Sequence, residues 1–335
     1  MVKIQDVAER AGTSISTVSK ALNGSYTISP ETTARIKSIA DEMGYRPNAR
    51  AQTFARKSTR SVVFLAKLGK DTAFESPHLF EILTGAEAAL REKKYALSLQ
   101  NCTAKNVCTH AHDIKMSKSA DGLLIHASVV TRELALLLTR EEIPHIIIGK
   151  PDFTSSLCWI DNDNRLSGTL AAKRLKSLGH KKIAVLAGHE DDQISEYRLE
   201  GIQSELAHST HIQIYRGAST IEDGAQMAHA LLTAPRRATA VICANNFLAV
   251  GCLRAFRQNN IRVPDDISLI TFDEYPFAKF TDPPLTTISI DVFDLGTQAG
   301  KLLVSKIKKP GFHVQSHSTL PVLVARASDA MINMT

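Results

Sequence analysis

The chain of 335 residues lacks the marks of several large protein classes. Its five cysteines are odd in number and follow no disulfide-scaffold pattern, which fits a reducing compartment. No apolar run is long enough to span a membrane, and Met1-Val2-Lys3-Ile4-Gln5-Asp6 does not open a signal peptide. A soluble, cytoplasmic protein without membrane association is expected. Signatures of catalysis are missing as well: the sequence contains no G-x-x-x-x-G-K-[ST], H-E-x-x-H, G-x-S-x-G or G-x-G-x-x-G. Nothing in it points to an enzyme or calls for a cofactor. Cys102, Cys108, His110 and His112 lie close together in CTAKNVCTHAH, but without the C-x2-C spacing of a zinc site. They read as a loop leading into a helix, and no metal is expected.

What is present is unevenly distributed. Residues 1–60 carry ten Lys/Arg against five Asp/Glu, and the rest of the chain carries 30 against 29. Nearly all the excess positive charge is therefore in the first sixth of the chain, which points to a polyanion partner for that module. Within it, Ile4, Val7, Ala8 and Ala11 make one apolar helical face, and Gly12 supplies the backbone freedom of a turn. Ser14 is placed to cap a second helix that buries Val18 and Leu22 and turns Ile15, Ser16, Ser19 and Lys20 outward. This is a helix-turn-helix with its second helix set to enter a major groove of DNA. Thr13, Ser14, Ile15, Ser16, Thr17 and Ser19 are the candidate contacts around it, with Lys20 as the main donor to a base edge and Asn23 at its end. Ser29 and Pro30 open a third helix that buries Thr33, Ile36, Ile39 and Ala40 and stops at Gly44.

Residues 49–57 hold helix formers and three cations but only one large apolar side chain, Phe54. So polar a segment is unstable as an isolated helix. It is either a linker or a hinge that folds on DNA, with Phe54 wedged into the minor groove. From Ser61 onward, short apolar runs alternate with amphipathic helical stretches. Strand candidates are residues 62–66, 96–100, 122–125, 145–148 and 157–160, and then 182–186, 211–215, 240–243 and 267–271. Such βα alternation argues for two doubly wound parallel-sheet units. Ligands bind outside the carboxyl ends of the strands in such units.

Several motifs occur in order along the chain. They include Thr17-Val18-Ser19, Gly44-Tyr45-Arg46-Pro47-Asn48, Asp121-Gly122-Leu123-Leu124, Leu178-Gly179-His180, Val263-Pro264-Asp265-Asp266 and Leu285-Thr286-Thr287-Ile288. Over essentially its full length the chain resembles the LacI/GalR family of bacterial transcription repressors. The resemblance implies an all-α helix-turn-helix headpiece at 1–47, a hinge helix at 48–60 and an α/β core at 61–335 similar to periplasmic binding proteins. The core would have one subdomain at about 61–159 and 290–317 and another at about 160–289 and 318–330. It also implies a homodimer on a pseudo-palindromic, double-stranded operator, switched by a small carbohydrate-like effector in the cleft. The alternative is a sugar-binding protein with no DNA role, which the basic N-terminal module argues against.

In the hinge, Asn48, Arg50, Ala51 and Phe54 are the DNA candidates, and Phe54 stands where the family usually carries Leu. In the cleft, Arg198 and Asp273 are the first candidates, since both follow strands and can hold adjacent hydroxyls; a purely structural ion pair across the cleft mouth is the alternative. Asp163 and Asn246 lie at strand-to-helix junctions. Phe74 and Phe247 would give an apolar platform, with core packing as the alternative for Phe247. Ser219 falls where some members stack an aromatic on the effector.

Overall fold

The computed structural model describes residues 2–22, 26–46, 58–70, 77–207, 211–274, 277–309, 311–312 and 314–332. The chain divides into two compact units, Met1–Arg60 and Ser61–Thr335.

The first unit is three helices, α1 (Ile4–Arg10), α2 (Ile15–Leu22) and α3 (Pro30–Glu42). Gly12 turns the chain between α1 and α2 with a φ of +59°, a conformation that side-chain-bearing residues rarely adopt. The Ser29 hydroxyl accepts the Thr32 N–H at 3.2 Å and so caps α3. Val7, Val18, Ala21 and Ile36 are fully buried, and Tyr45 joins them beyond the end of α3. Two expectations are corrected here. Ala21 takes the deep position assigned to Leu22, and Thr33 and Ile39 are only half-buried. With α2 packed this closely between its neighbours, its innermost stripe admits the small side chain. The expected hinge helix falls mostly on residues 47–57, outside the described residues.

The second unit has two lobes built from similar pieces. In chain order they are β1 (Ser61–Ala66), α4 (Pro77–Glu92), β2 (Ala96–Asn101), α5 (Val107–Ser117), β3 (Gly122–His126), α6 (Arg132–Arg140), β4 (His145–Ile148) and β5 (Trp159–Asn162). Next come α7 (Asn164–Ser177), β6 (Lys182–Ala187), α8 (Gln193–Leu206), β7 (His211–Arg216), α9 (Ile221–Thr233), β8 (Ala240–Cys243), α10 (Asn246–Gln258) and β9 (Ser268–Phe272). The chain ends with β10 (Thr286–Ser289), α11 (Val292–Lys308), β11 (His317–Thr319) and β12 (Val322–Val324). One sheet has the order β11-β5-β4-β3-β1-β2 and the other β12-β10-β9-β8-β6-β7. All pairings are parallel except β10 with β12.

β10, β11 and β12 were not among the expected strands: β10 and β11 are short and mostly polar, and β12, though apolar, is only three residues long. β5 lies two residues later than expected. Asp161 and Asn162 pair with Ser318 and Thr319 of β11, and their polarity hid the strand. The chain therefore leaves the first sheet after Asn162 rather than after Trp159, and after Thr319 rather than His317. Each sheet is sandwiched between two apolar layers. No helix among the described residues is long and apolar enough to cross a membrane.

Candidate nucleic-acid interface and ligand cleft

In the headpiece, Ser14 caps α2 as expected: its hydroxyl accepts the Thr17 N–H at 3.1 Å, and the two hydroxyl oxygens lie 2.9 Å apart. These two side chains thus set the start of the helix. Ile15, Ser16 and Lys20 are exposed, while Thr17 and Ser19 are half-buried. The Thr13 hydroxyl oxygen is buried without a partner. The face offered by α2 is small and polar, with Lys20 its one cation. Asn23, Asn48, Arg50, Ala51 and Phe54 lie outside the described residues.

In the core, a cavity of about 340 Å³ opens between the lobes at the carboxyl ends of the strands. Arg198 reaches it from α8. That helix packs backbone against backbone on α7, since a Cβ placed on Gly168 would come within 1.9 Å of the Arg198 carbonyl oxygen. Asp273 follows β9 with a φ of +71°, and its N–H donates to the Ile288 carbonyl at 2.9 Å. The Arg198 guanidinium donates to both Asp273 carboxylate oxygens at 3.1–3.3 Å. It also donates to the Ala244 carbonyl at 2.7 Å and to Asn164 Oδ1 at 3.2 Å, and it lies over the Phe272 ring. Both partners are almost fully buried. Burial alone would raise the Asp273 pKa, but the Arg198 charge and the contact with His78 bring it down to about 2.

The ion pair lies within the second lobe's wall and does not span the cleft mouth. The cross-lobe contact is made by His78, in the first turn of α4, whose Nε2 lies 3.4 Å from Asp273 Oδ2. Asn246 opens α10, and its Nδ2 donates to the Phe272 and Asp273 carbonyls at 2.7 and 2.9 Å. Phe247 lines the cavity and meets Phe277 edge-on at 5.6 Å. Ser219 lines it too.

Asp163 is not brought to the cavity. It caps α7, accepting the Leu166 N–H at 2.9 Å, because an Asp just before a helix satisfies the orphan amides there. Its neighbours Asp161, Asn162 and Asn164 line the cavity instead. Asp161 accepts the N–H groups of Lys150 and Asn162, and burial raises its pKa. Phe74 lies outside the described residues.

Residues 3–48 match the family described as bacterial regulatory proteins, lacI family, and residues 172–328 match the periplasmic binding protein-like domain. The chain is 30% identical over 335 residues to the HTH-type transcriptional repressor PurR of Histophilus somni (strain 129Pt), covering 98% of this chain and 99% of that one. It is also 30% identical over 341 residues to PurR of Haemophilus influenzae (strain PittEE), covering 98% of each. The chain belongs to the lacI family. It is a DNA-binding transcriptional regulator and not an enzyme. The transcriptional regulator CelR in complex with cellobiose matches at a TM-score of 0.71 and 25% identity, over 98% of this chain and 100% of that one. The lac repressor dimer bound to operator and the anti-inducer ONPF shares the fold at a TM-score of 0.83 and 24% identity, over 98% and 99%.

In this lacI-family regulator, sequence reasoning missed His78, His126 and Asp161. Each sits at the end of a strand or the start of a helix on the cleft side, and that position was their only signal. His126 ends β3; its Nδ1 accepts the Ser128 N–H at 3.3 Å, and burial lowers its pKa. The Cys102–His112 segment holds no metal-binding group of three or more side chains among the described residues. Cys102 is buried, with its thiol pushed up to about 11, and His112 lies 3.5 Å from Glu141.

Proposed function

We propose that this regulator binds a pseudo-palindromic operator as a homodimer in the cytoplasm and acts as a repressor. A small carbohydrate-like effector in the interlobe cleft sets its hold on DNA. The observation that carries the switch is the cavity between the lobes, in which a buried Arg198–Asp273 pair on one wall is touched by His78 from the other. A ligand that changes this contact changes the relative position of the lobes. The chain crosses between the lobes three times, after β5, β10 and β11, and these crossings would carry such a change through the core.

On the DNA side, α2 of each protomer would occupy a major groove, with half-sites about 10 base pairs apart or a multiple of that. Lys20 supplies the donor to a base edge. Asn48, Arg50, Ala51 and Phe54 would add minor-groove contacts from the hinge, with Phe54 as the wedge. Domain boundaries near residues 47 and 60 fit this division of labour. By linkage, an effector that alters operator affinity has its own affinity altered by the same factor when operator is bound.

The test is operator affinity, by fluorescence anisotropy, for DNA selected by the intact protein, across a salt series with and without effector. Binding that falls steeply with salt and shifts on effector addition supports the reading. Salt-independent binding, or none, removes it.

A further inference from the structure

The cleft carries an imbalance of charge and hydrogen-bonding capacity that points to its ligand. Its one described arginine, Arg198, is already committed to Asp273, Asn164 and the Ala244 carbonyl. Two further carboxylates line the cavity, Asp161 and Asp192, and neither forms an ion pair with a described residue. Asp161 is held by two backbone N–H groups, and Asp192 caps α8 through the Ser195 N–H at 3.2 Å. Each still has lone pairs to offer.

Asn246 adds a second, independent observation. It is only 3% exposed, and its Nδ2 is fixed by two carbonyl acceptors, so the amide orientation is settled. Its Oδ1 is therefore an acceptor, and it is buried with no donor among the described residues. His78 Nδ1 is likewise buried without a partner. In the neutral imidazole with its Nε2–H facing Asp273, this nitrogen is an acceptor too. A buried acceptor left without a donor is costly, and a ligand that donates to it removes that cost.

We infer that the cleft takes a small, uncharged or cationic ligand rich in hydroxyl or amine donors, and that it refuses phosphorylated and carboxylated ligands. The inference rests on the reading of the cleft as the effector site and narrows the ligand class. An anion entering the cavity meets two carboxylates that form no direct ion pair with a described residue, Asp161 being offset only by the more distant charges of Arg198 and Lys150, and the one described arginine that lines the cavity is occupied. A neutral polyol meets acceptors at Asn246, His78, Asp161 and Asp192. An amine gains in addition from the two carboxylates.

The experiment is isothermal titration calorimetry of the full-length protein with matched sets of probes. Each set is an aldose, its amino sugar, its phosphate ester and its aldonic acid, for glucose, galactose, mannose and ribose. In the set that binds, the phosphate and the acid are expected to be at least about 30-fold weaker than the parent sugar. The double variant Asp161→Asn with Asp192→Asn is expected to narrow that ratio by about 10-fold or more. Asn246→Ser is expected to weaken the parent by about 10-fold, as a binding acceptor is lost. A phosphate or acid that binds more tightly than its parent overturns the inference and leaves the effector reading standing. An unchanged ratio in the double variant overturns it also. If no member of any set binds, the carbohydrate-effector reading falls, and this inference with it.

Discussion

The two lobes of the core have matching strand orders and yet divide the cleft unequally. Each contributes a six-stranded sheet with helices on both faces. The second lobe supplies Arg198, Asp273, Asn246 and Asn164, joined to one another by hydrogen bonds and almost wholly buried. The first supplies apolar side chains, Leu79, Ile82 and Ile148, together with His78, His126 and, from the end of β5, Asp161 and Asn162. The difference teaches that the second lobe's wall is pre-organised before any ligand arrives. A preformed polar wall avoids an ordering cost at binding. Across the cavity, the first lobe's His78 reaches this wall at Asp273.

The largest effect comes from breaking the pre-organised wall. Arg198→Met leaves the Asp273 carboxylate buried and unpaired, and it is expected to cost about 3–5 kcal/mol of core stability in urea denaturation and to abolish effector binding. A loss under about 1 kcal/mol would mean that the pair is not the anchor of its wall.

Glycines at helix crossings separate the two walls more finely. Gly168→Ala forces α7 against the Arg198 backbone, and Gly85→Ala forces α4 against the Phe293 carbonyl, 2.0 Å from the added Cβ. Each is expected to cost about 1–3 kcal/mol. Only Gly168→Ala should also weaken effector binding, because only it displaces a residue of the polar wall. Equal effects on binding would erase the distinction.

Acid response is a third, smaller contrast. In β4 of the first lobe, burial lowers the pKa of His145 from 6.5 to about 4. The unfolded chain therefore binds a proton that the folded chain resists, and stability falls as pH drops from 6.5 toward about 4. Asp273 is also shifted down, but there the lowering favours the charged form, held by Arg198 and His78 against the cost of burial. Its contribution is complete above the ordinary carboxylate range and is lost only as pH falls toward about 2. His145→Gln should flatten the decline in denaturation midpoint between about pH 7 and about pH 4.5. An unaltered decline would place the acid-sensitive group elsewhere. The smallest effect belongs to His78→Ala, whose half-exposed contact with Asp273 is expected to change stability by less than about 1 kcal/mol. It should still alter effector affinity measurably, and an unaltered affinity would deny His78 a part in closure.

Much of this division was legible in the sequence. Gly12, Ser14 and Ser29-Pro30 marked the headpiece because turns and caps need particular residues, and tertiary packing did not override them. The central strands were legible because they are buried on both faces and read as apolar runs. Strands β10–β12 were not, because each is only three or four residues long and β10 and β11 are mostly polar. Arg198 and Asp273 line the cavity, where they were expected because each follows a strand on the ligand side of its sheet. Asp163 was misassigned to the cleft because an acidic residue before a helix serves equally as a cap, and sequence does not distinguish the two uses. His78 and Asp161 escaped because nothing in local pattern tells which strand-end residues meet across a cleft.

The most direct test of the account is operator binding by the intact protein before and after effector. DNA selected from a random library should contain two inverted half-sites, and the effector found by calorimetry should change its affinity by about 5- to 150-fold. The same change should be absent in Arg198→Met. Selection of no DNA, or an affinity that the bound effector leaves untouched, would contradict the claim that the cleft governs the grip on DNA.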